Sequence, residues 1–571
     1  MCSAGTEGTV YGMDQPPIVP SGEGSLPLGG HDIDLPPAPA AKPRRRWLAG
    51  GLVALLALGG TAAAAISLLS GDATPIEMAV PADADLALVV SLDPPAGQKM
   101  NLLQLIGRFP SLAERGDLLS EARDRLNESL AEFDLSIGDL TWVGSEVAFI
   151  GQIDGTKPPE DPDFGRFALV LATRDETAAS DTLQKARESG DQGGWSARDH
   201  EGVEVWIGPD GAYAVDQGFA IVASNQAAVA SVLDVLAERA PALGSSEAYE
   251  AVEAQLPDQR LGMAFVNIAS LFEDIQEQLV AVAGPSPQLQ DVEAIRGVGM
   301  SVSAEPDGFA FDTVVTYDPA KISDEGREQL ETRQDANLLL DSIPQDASVV
   351  VGQKGYTRGL EQALERLRAD TPELALLDGY GVTGPGGLLE ALSGDVAFEV
   401  GPGAPVGISL LLATDEESAA QAALDRLVER VDRGAGVHLI LREVGGVAVT
   451  VIEVRGPFQV AYAVTGGKVI LSSSLERLQQ LLGVTPGSGS IVDDPDYQQA
   501  TERVPTEDSV FFIDIRAIVE AVRGFIPDAE RAGFDEQVRL YVDPIEAVVG
   551  GAESDGLSQH TRLFVVIPNK E

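Results

Sequence analysis

Short apolar stretches alternate with amphipathic stretches along the chain from about residue 75 onward. Phe167–Ala172 (FALVLA) is an apolar run of strand length, and a helical pattern follows it. Later strands are joined by short turns such as Pro306-Asp307-Gly308, which favours antiparallel pairing, and strand–helix–strand units are also present. We therefore predict an α+β fold with a mixed, mainly antiparallel sheet and packed helices on one of its faces.

The remaining elements are predicted from the same patterns. Further strands are expected at Val203–Ile207, Phe219–Ala223, Met263–Ile268, Val298–Ala304, Phe309–Thr316, Val447–Val454, Lys468–Leu471, Phe511–Ile515, Ala547–Gly551 and Thr561–Ile567. Helices are expected near Gln226–Ala237, at Leu475–Leu482 and from Asn267 or Ser270 to about Ala283.

Several segments occur twice in the same order. Glu146-Val147-Ala148-Phe149 matches Asp395-Val396-Ala397-Phe398, and Leu171-Ala172-Thr173 matches Leu412-Ala413-Thr414. Pro81-Ala82-Asp83-Ala84 similarly matches Pro344-Gln345-Asp346-Ala347. A constant order at slowly drifting spacing predicts a duplicated domain, because the period is far too long for a solenoid repeat.

The duplication gives the domain boundaries. We predict a flexible tail at 1–46, a first α+β copy at 75–318, a helical connector at 319–341 and a second copy at 342–569.

Helix caps are predicted at matching places in the two copies. Thr173 with Glu176, and Thr414 with Glu417, have the spacing of a capping box, in which the Thr hydroxyl and the Glu side chain each bond a backbone N–H group. Asn267 and Asp514 are predicted to cap the helices that follow their strands. These repeated polar residues therefore have a structural explanation.

The segment Trp47–Leu69 contains no charged residue across 23 positions. As a helix it would be ~34 Å long, enough to cross a hydrocarbon core of ~30 Å. Lys42 and Arg44–Arg46 precede it, whereas Asp72 and Glu77 follow it. Basic residues mark the cytoplasmic side of a span, so we predict a single-pass membrane protein with a cytoplasmic N-terminus and most of the chain outside.

Two other interpretations of this segment remain open. Ala63–Ala65 offers small residues for a signal peptidase, although a signal peptide has a shorter apolar region nearer the N-terminus. A buried helix of a soluble protein is the other alternative, and the length of the apolar run disfavours it.

The chain is strongly acidic, with 39 Lys and Arg against 89 Asp and Glu and a net charge of −50. Such a surface repels nucleic acid and anionic lipid headgroups, so no nucleic-acid partner is predicted. The acidity fits either solubility and life at high salt or the binding of a cation or a basic partner. The single cysteine, Cys2, precedes the predicted span, so the outer part cannot depend on disulfide bonds or thiolate chemistry.

The layout resembles a family of bacterial envelope proteins known as domain of unknown function thirty-three fifty-two. The resemblance is carried by the apolar segment followed by Val80-Pro81-Ala82-Asp83-Ala84, by Gly144-Ser145-Glu146-Val147-Ala148, and by the strand–helix unit ending in Leu171-Ala172-Thr173. It covers about 75–570 and implies an uncharacterised envelope protein. The family has no assigned activity, so the resemblance implies no functional residue.

Histidine is the usual base near neutral pH, and the predicted outer part contains His200, His438 and His560. The copies do not share them, because His200 aligns with Val444, and no HExxH or GxSxG motif is present. We expect histidines of the surface or of turns. No catalytic, cofactor-binding or metal-binding residue, and no cofactor, is predicted.

Two other motifs resemble ligand-binding sequences. Residues 379–384 (GYGVTG) fit GxGxxG, but the preceding residues read as helix and Pro385-Gly386-Gly387 prolongs the loop, so a plain glycine-rich loop is expected. Asp154, Glu160, Asp161 and Asp163 share a proline-rich loop without EF-hand spacing. Solvated charge is expected there, with calcium binding as the alternative.

The sequence favours a non-enzymatic binding, scaffold or sensor module tethered in the cell envelope. The alternative is an envelope hydrolase whose carboxylate or Ser/Lys site is assembled only by the fold.

Overall fold

The computed structural model describes residues 75–569 with gaps. The ranges described are 75–109, 127–128, 130–131, 134–154, 157, 164–189, 194–209, 211–273, 292–331, 339–356, 360, 364, 377, 381–403, 406–435, 438–453, 459–485 and 487–569. They all belong to one compact unit. The predicted tail 1–46 and the predicted span Trp47–Leu69 lie outside the described residues, and no helix within the described ranges is long and apolar enough to cross a membrane.

The described chain has twenty strands. They are β1 Leu86–Ser91, β2 Val143–Ile153, β3 Gly165–Thr173, β4 Ser196–His200, β5 Val203–Ile207, β6 Ala212–Asp216, β7 Phe219–Ala223, β8 Gly262–Val266, β9 Ile295–Glu305, β10 Gly308–Tyr317, β11 Val349–Gln353, β12 Val396–Gly401, β13 Gly407–Ala413, β14 His438–Val444, β15 Val447–Glu453, β16 Gln459–Thr465, β17 Lys468–Ser472, β18 Ser509–Asp514, β19 Ala547–Ser554 and β20 Ser558–Val566.

The named α-helices are interspersed among these strands. They are α1 Ala96–Gly107, α2 Glu176–Ser189, α3 Gln226–Leu236, α4 Glu247–Glu253, α5 Asp324–Glu331, α6 Glu417–Ala435, α7 Leu475–Gly483, α8 Pro495–Thr501, α9 Ile515–Phe525, α10 Asp528–Phe534 and α11 Leu540–Val542. A π-helical turn, Asp535–Arg539, joins α10 to α11, and a 3-10 turn, Ile76–Ala79, begins the described chain.

All twenty strands form one sheet, and the two halves of the chain pair their strands in the same order. The first half runs β4-β5-β6-β7-β3-β2-β1-β8-β9-β10. The second half runs β14-β15-β16-β17-β13-β12-β11-β18-β19-β20. The α+β class with an antiparallel sheet is therefore confirmed, and every pairing among the described strands is antiparallel.

The halves meet where β10 pairs with β20, and Asp312 lies directly opposite Arg562. Gly308 begins β10, and a Cβ atom there would lie 2.1 Å from the carbonyl oxygen of Val565, so this close pairing requires glycine. The predicted copies 75–318 and 342–569 thus share one sheet. Helix α5 lies within the predicted connector 319–341, of which residues 332–338 are outside the described part.

Cross-strand neighbours correspond between the halves, position by position. Starting from Asp312 and stepping from strand to strand, the partners are Ser301, Met263, Val89, Ala148, Val170, Ile221 and Ala214. Starting from Arg562, they are Gly551, Val510, Gly352, Ala397, Leu411, Ile470 and Ala463. The two paths pass through Ala148 and Ala397, which are matched residues of the repeated sequence segments.

The expectation of helices on one face of the sheet is wrong for the described helices. In the first half, α3 and α4 pack over Val170 and Ile221, whereas α2 packs on the opposite face with Val147 and Leu171. In the second half, α7 and α8 cover one face and α6 covers the other. The reason is visible in Phe167–Ala172, because a strand that is apolar at successive positions is buried on both of its faces.

The predicted capping boxes are also wrong. The Thr173 hydroxyl donates to the carbonyl oxygen of Trp142 (3.1 Å) and accepts from the N–H of Asp175 (3.1 Å), while Asp175 caps α2 by accepting from the N–H of Ala178. The Glu176 carboxylate instead accepts from the N–H of Gly218, in the turn between β6 and β7.

The second half builds the same arrangement. The Thr414 hydroxyl donates to the carbonyl oxygen of Ala391 and accepts from the N–H of Glu416, and Glu417 accepts from the N–H of Gly467. The boxes fail because a turn distant in sequence offers the Glu side chain a nearer N–H group. The caps predicted at Asn267 and Asp514 are confirmed by bonds from the N–H groups of Ser270 (3.1 Å) and Ala517 (2.9 Å).

Candidate functional site

Seven charged residues gather where the halves join, around strands β9, β10, β19 and β20. We call them the junction cluster: Glu305, Asp307, Asp312, Arg503, Glu553, His560 and Arg562. Alternate residues of a strand point to the same face of a sheet, so Asp312, His560 and Arg562 share a face. Helices α4 and α8 lie on this face, one from each half.

Asp312 is the buried centre of the junction cluster. Its Oδ1 atom lies 2.9 Å from Nε2 of His560 and 3.5 Å from Nη1 of Arg562, and its side chain is fully buried. Nδ1 of His560 faces Glu553 Oε1 at 3.4 Å. The hydrogen bond to Asp312 raises the pKa of His560, burial opposes the shift, and Glu553 adds to it.

This geometry favours a charged imidazolium. Both ring nitrogens of His560 face carboxylates, so neither is directed at a group that it could deprotonate. Ser301 is the cross-strand partner of Asp312, but its buried hydroxyl has no hydrogen-bond partner among the described residues. Serine, histidine and aspartate are therefore close here without the hydrogen-bonded chain that activates a serine.

The rest of the junction cluster consists of ion pairs. Arg562 binds Glu305, and Arg503, which follows α8, binds Asp307 and lies 3.8 Å from Glu305. Glu305 ends β9 and Asp307 lies in the β9–β10 turn of the first half, whereas both arginines belong to the second half. The cluster therefore links the two halves electrostatically across the β10–β20 pair.

The other two histidines of the described residues are far from His560. His200 lies on β4, where its Nε2 atom is 2.9 Å from Asp234, and His438 is exposed at the start of β14. Strands β4 and β14 are the opposite ends of the described sheet, and neighbouring strands stand ~4.8 Å apart. The fold therefore does not bring the three histidines together.

A second buried charge site lies inside the second half only. Arg477 of α7 contacts the fully buried Glu399 of β12 with Nε–Oε1 3.0 Å and Nη2–Oε2 2.6 Å. Nη1 of Arg477 also donates to Asp346 at 2.7 Å. Burial acts to lower the pKa of Arg477, but the bonds to Glu399 and Asp346 outweigh it and the pKa is raised.

The first half has apolar residues at the corresponding places, Ile150 and Ala228. A shallow cleft of about 600 Å³ in the first half is lined by Asp154, Lys157, Arg166, Asn225, Gln226, Ala227 and Ala230. The Asp154 carboxylate lies 3.3 Å from Nζ of Lys157. The other carboxylates of the proline-rich loop for which calcium binding is the alternative, Glu160, Asp161 and Asp163, are outside the described residues. The described part holds no group of three or more His, Cys, Asp or Glu placed for a metal ion.

The glycine-rich loop at 379–384 is described from Gly381 onward. Gly381 and Gly384 have positive φ angles of 77° and 80°, and the chain then passes to a 3-10 turn, Leu389–Ala391. A dinucleotide loop would lead directly into a long helix. The described segment does not have that geometry.

An exposed apolar feature is formed by residues 515–542, which we call the helical arm. It comprises α9, α10, the π-helical turn and α11, and none of its residues is buried. Its exposed apolar side chains are Val522 (45%), Phe525 (75%), Val538 (42%), Leu540 (41%) and Tyr541 (39%). Ile526, Phe534 and Val538 line one shallow groove of the arm.

The sequence patterns did not single out the junction cluster or the helical arm. The amphipathic period of α9 was a detectable signal, since Ile515, Ile518, Val519, Val522 and Phe525 fall on one helical face. Nothing local in the sequence indicated that Asp312 and His560 would meet, because the two residues are far apart in the chain.

The fold and these sites define a class of protein: an α+β protein whose two halves share one antiparallel sheet. The family model described as "Protein of unknown function (DUF3352)" matches residues 48–548, so this chain belongs to that family. The family resemblance is thereby confirmed.

The chain is also similar to solved structures titled as crystal forms of TP0453. Crystal form III is 11% identical, with a TM-score of 0.21, and the match covers 47% of this chain and 88% of that one. Crystal form I is 12% identical with a TM-score of 0.22, covering 46% and 87%. Likeness at this level carries no argument about function. No curated protein matches the chain.

Proposed function

We propose that this protein is anchored in the cell membrane by Trp47–Leu69, with its N-terminus in the cytoplasm and the bulk of the chain outside. There it acts as a non-enzymatic binding, scaffold or sensor module of the cell envelope. The observation that carries this proposal is the equal strand order of the two halves on one sheet, which gives a single body with two related sets of surfaces.

The proposal includes tandem duplication of one domain. Its support is the stepwise correspondence of cross-strand partners, which leads from Asp312 and Arg562 to the matched residues Ala148 and Ala397. The bonds of Glu176 to Gly218 and of Glu417 to Gly467 repeat as well. Both correspondences are structural, so the repeated residues support a common scaffold and not a common reaction.

The Asp312–Arg562 pair, where the two halves meet, is consistent with the fusion of two copies of one domain. Asp312 and Arg562 occupy corresponding places and face each other, as a residue on the two-fold axis of a symmetric dimer faces its own copy. Identical charged residues in that position would repel. A fused chain can place opposite charges there, and the junction cluster is built on this pair.

Membrane tethering is supported by the apolar run and by the basic residues Lys42 and Arg44–Arg46 before it. The test uses the full chain with a tag at each end, expressed in a bacterial host. Protease added to spheroplasts should digest the body and the C-terminal tag but leave the N-terminal tag intact. An N-terminal tag that is lost from sealed spheroplasts would contradict the topology.

The binding role is tested separately, by crosslinking in native membranes followed by purification of the tagged full chain. We expect a partner that crosslinks in constant ratio to the protein. A chain that crosslinks to nothing, but turns over a substrate in an activity screen against envelope polymers, would replace the binding role with an enzymatic one.

A further inference from the structure

The helical arm of the second half presents an apolar surface that the fold covers only in part. In α9, the residues Ile515, Ile518, Val519, Val522 and Phe525 recur at helical spacing and form one stripe free of charge. Helices normally bury such a stripe against the core, but α9 contains no buried residue. Scattered exposed apolar residues are ordinary, whereas a continuous apolar patch marks an interaction site.

Ion pairs hold the arm in its shape. Arg523 binds Asp535 with two hydrogen bonds of 2.9 and 3.0 Å, which joins α9 to the π-helical turn. Arg539 lies 3.2 Å from Glu520 of α9. The Arg516 side chain fastens the start of α9 to Asp496 of α8 at 2.8 Å. These contacts occupy the polar sides of the two helices. At the C-terminal end of the stripe Val522 (45%) and Phe525 (75%) are exposed, whereas Ile515, Ile518 and Val519 are half-buried.

The length of chain before the body indicates what covers this stripe. The predicted span ends at Leu69, and Ile76 is already fully buried, with its N–H bonded to Glu146. Seven Cα-to-Cα steps extend at most ~25 Å. A body held so close to a bilayer has the lipid surface as its nearest and most concentrated apolar partner.

The geometry points to the helical arm as a second membrane contact. The apolar stripe of α9, which ends at Phe525, inserts into the outer leaflet of the same bilayer that the predicted span crosses. This inference rests on the proposed membrane tether. Amphipathic helices bind in this way, with the apolar face ~5–10 Å deep at the boundary of headgroups and acyl chains. The net charge of −50 predicts a zwitterionic leaflet, because anionic headgroups would repel the body.

The test places spin labels on the full chain in phosphatidylcholine proteoliposomes. In a Cys2→Ser background, Phe525→Cys reports on the stripe. Gly524→Cys is the matched control, since it is the adjacent residue on the opposite face of α9 and a Cβ atom there meets nothing within 4 Å. Leu441→Cys, 81% exposed on β14, is a control away from the arm. Accessibility to oxygen and to a water-soluble nickel complex is measured for each label.

We expect the oxygen-to-nickel accessibility ratio at position 525 to exceed the ratios at positions 524 and 441 several-fold. Val522→Cys should behave like Phe525→Cys, and it serves as the reporter if Phe525→Cys lowers the melting temperature. The ratio at position 525 should fall when phosphatidylglycerol replaces part of the phosphatidylcholine at low salt.

Three results would overturn the inference. Equal ratios at positions 525 and 524, in protein that floats with the vesicles, would remove the arm contact but leave the tether standing. Spin–spin broadening at position 525 that disappears on dilution with unlabelled protein would show that a second copy covers the arm. If alkaline carbonate extracts the protein from the vesicles, the membrane tether is refuted, and the inference fails with it.

Discussion

At the scale of single residues, Thr173 and Thr414 show how the repeated sequence is used. Each hydroxyl bridges the end of a strand to a carbonyl oxygen of a preceding segment, Trp142 or Ala391, and accepts the N–H two residues later. Both side chains are buried. Thr173 and Thr414 therefore have the same structural role, each within its own half.

We predict that Thr173→Ala destabilises the first half by ~1 kcal/mol, because the carbonyl oxygen of Trp142 loses one of its two donors and the N–H of Asp175 loses its acceptor. Thr173→Ser keeps the hydroxyl and should retain most of that stability. Urea unfolding followed by tryptophan fluorescence measures both variants, since Trp142 lies at the site. Equal losses in the two variants would show that the methyl group, and not the hydroxyl, is responsible.

His560 makes stability depend on pH. Its pKa is raised above the ordinary value of 6.5 by the bond to Asp312 and by Glu553. A raised pKa in the folded state means that the stabilisation is complete below about 6.5 and is lost as pH rises through the folded-state value.

We therefore expect the stability difference between the natural chain and His560→Gln to be largest near pH 6 and to shrink at higher pH. Arg562 also faces Asp312, so the His560→Gln variant keeps one cation beside that carboxylate. His438→Gln, at an exposed position, controls for the loss of an imidazole elsewhere. A difference that is constant from pH 6 to 9 in urea unfolding would contradict the role of His560.

At the scale of elements, the two halves pack α3 and α7 onto the sheet with different chemistry. Arg477 of α7 is accommodated by Gly401 and Gly407, where a Cβ atom would lie 2.1 and 2.9 Å from its side chain. The first half has Gln152 and Arg166 at the corresponding paired positions and Ala228 on its helix. The half that buries a long side chain on its helix thus has glycines at the facing positions of its strands, which leave room for that side chain.

We predict that Glu399→Ile costs ~3–5 kcal/mol, because it leaves Arg477 buried without its main partner. Adding Arg477→Met should restore most of that loss, since replacing both members of a buried ion pair by apolar residues is often nearly neutral. Chemical denaturation followed by far-UV circular dichroism measures the single and double variants. A double variant as unstable as the single one would show that the glycines, and not the charges, dominate this packing.

At the scale of the whole molecule, the β10–β20 pair makes the two halves parts of one sheet. The tryptophans provide a natural test, because Trp142, Trp195 and Trp206 all lie in the first half and Trp47 lies in the predicted span. Fluorescence therefore reports on the first half, even when a substitution is made in the second.

We expect Glu399→Ile, in the second half, to move the tryptophan transition to lower urea together with the circular dichroism transition. Leu441→Ser, at an exposed position of the same half, should move neither. If the tryptophan transition stays at its urea concentration while the circular dichroism transition moves to lower urea, the halves unfold independently. The joined sheet and the junction cluster would then couple them only weakly.

Much of the secondary structure was predictable because it is encoded locally. The strands β5 and β7 coincide with the predicted Val203–Ile207 and Phe219–Ala223, and the caps at Asn267 and Asp514 follow from residue type and position. The strands missed include β1, β4, β6, β11, β14 and β16; β4 is largely exposed and has no apolar run to signal it. The capping boxes failed because Gly218 and Gly467 compete for the glutamates from a distance.

The sequence by itself determined the alternation of strands and helices, the α+β class, the matched segments and the family, because each depends on residue type and local order. Only the tertiary structure decided that helices cover both faces and that β10 and β20 join the halves. It also brought Asp312 to His560 and left Val522 and Phe525 of α9 exposed. These features depend on which distant segments meet, and a long-range pairing leaves no periodic signal in either segment alone.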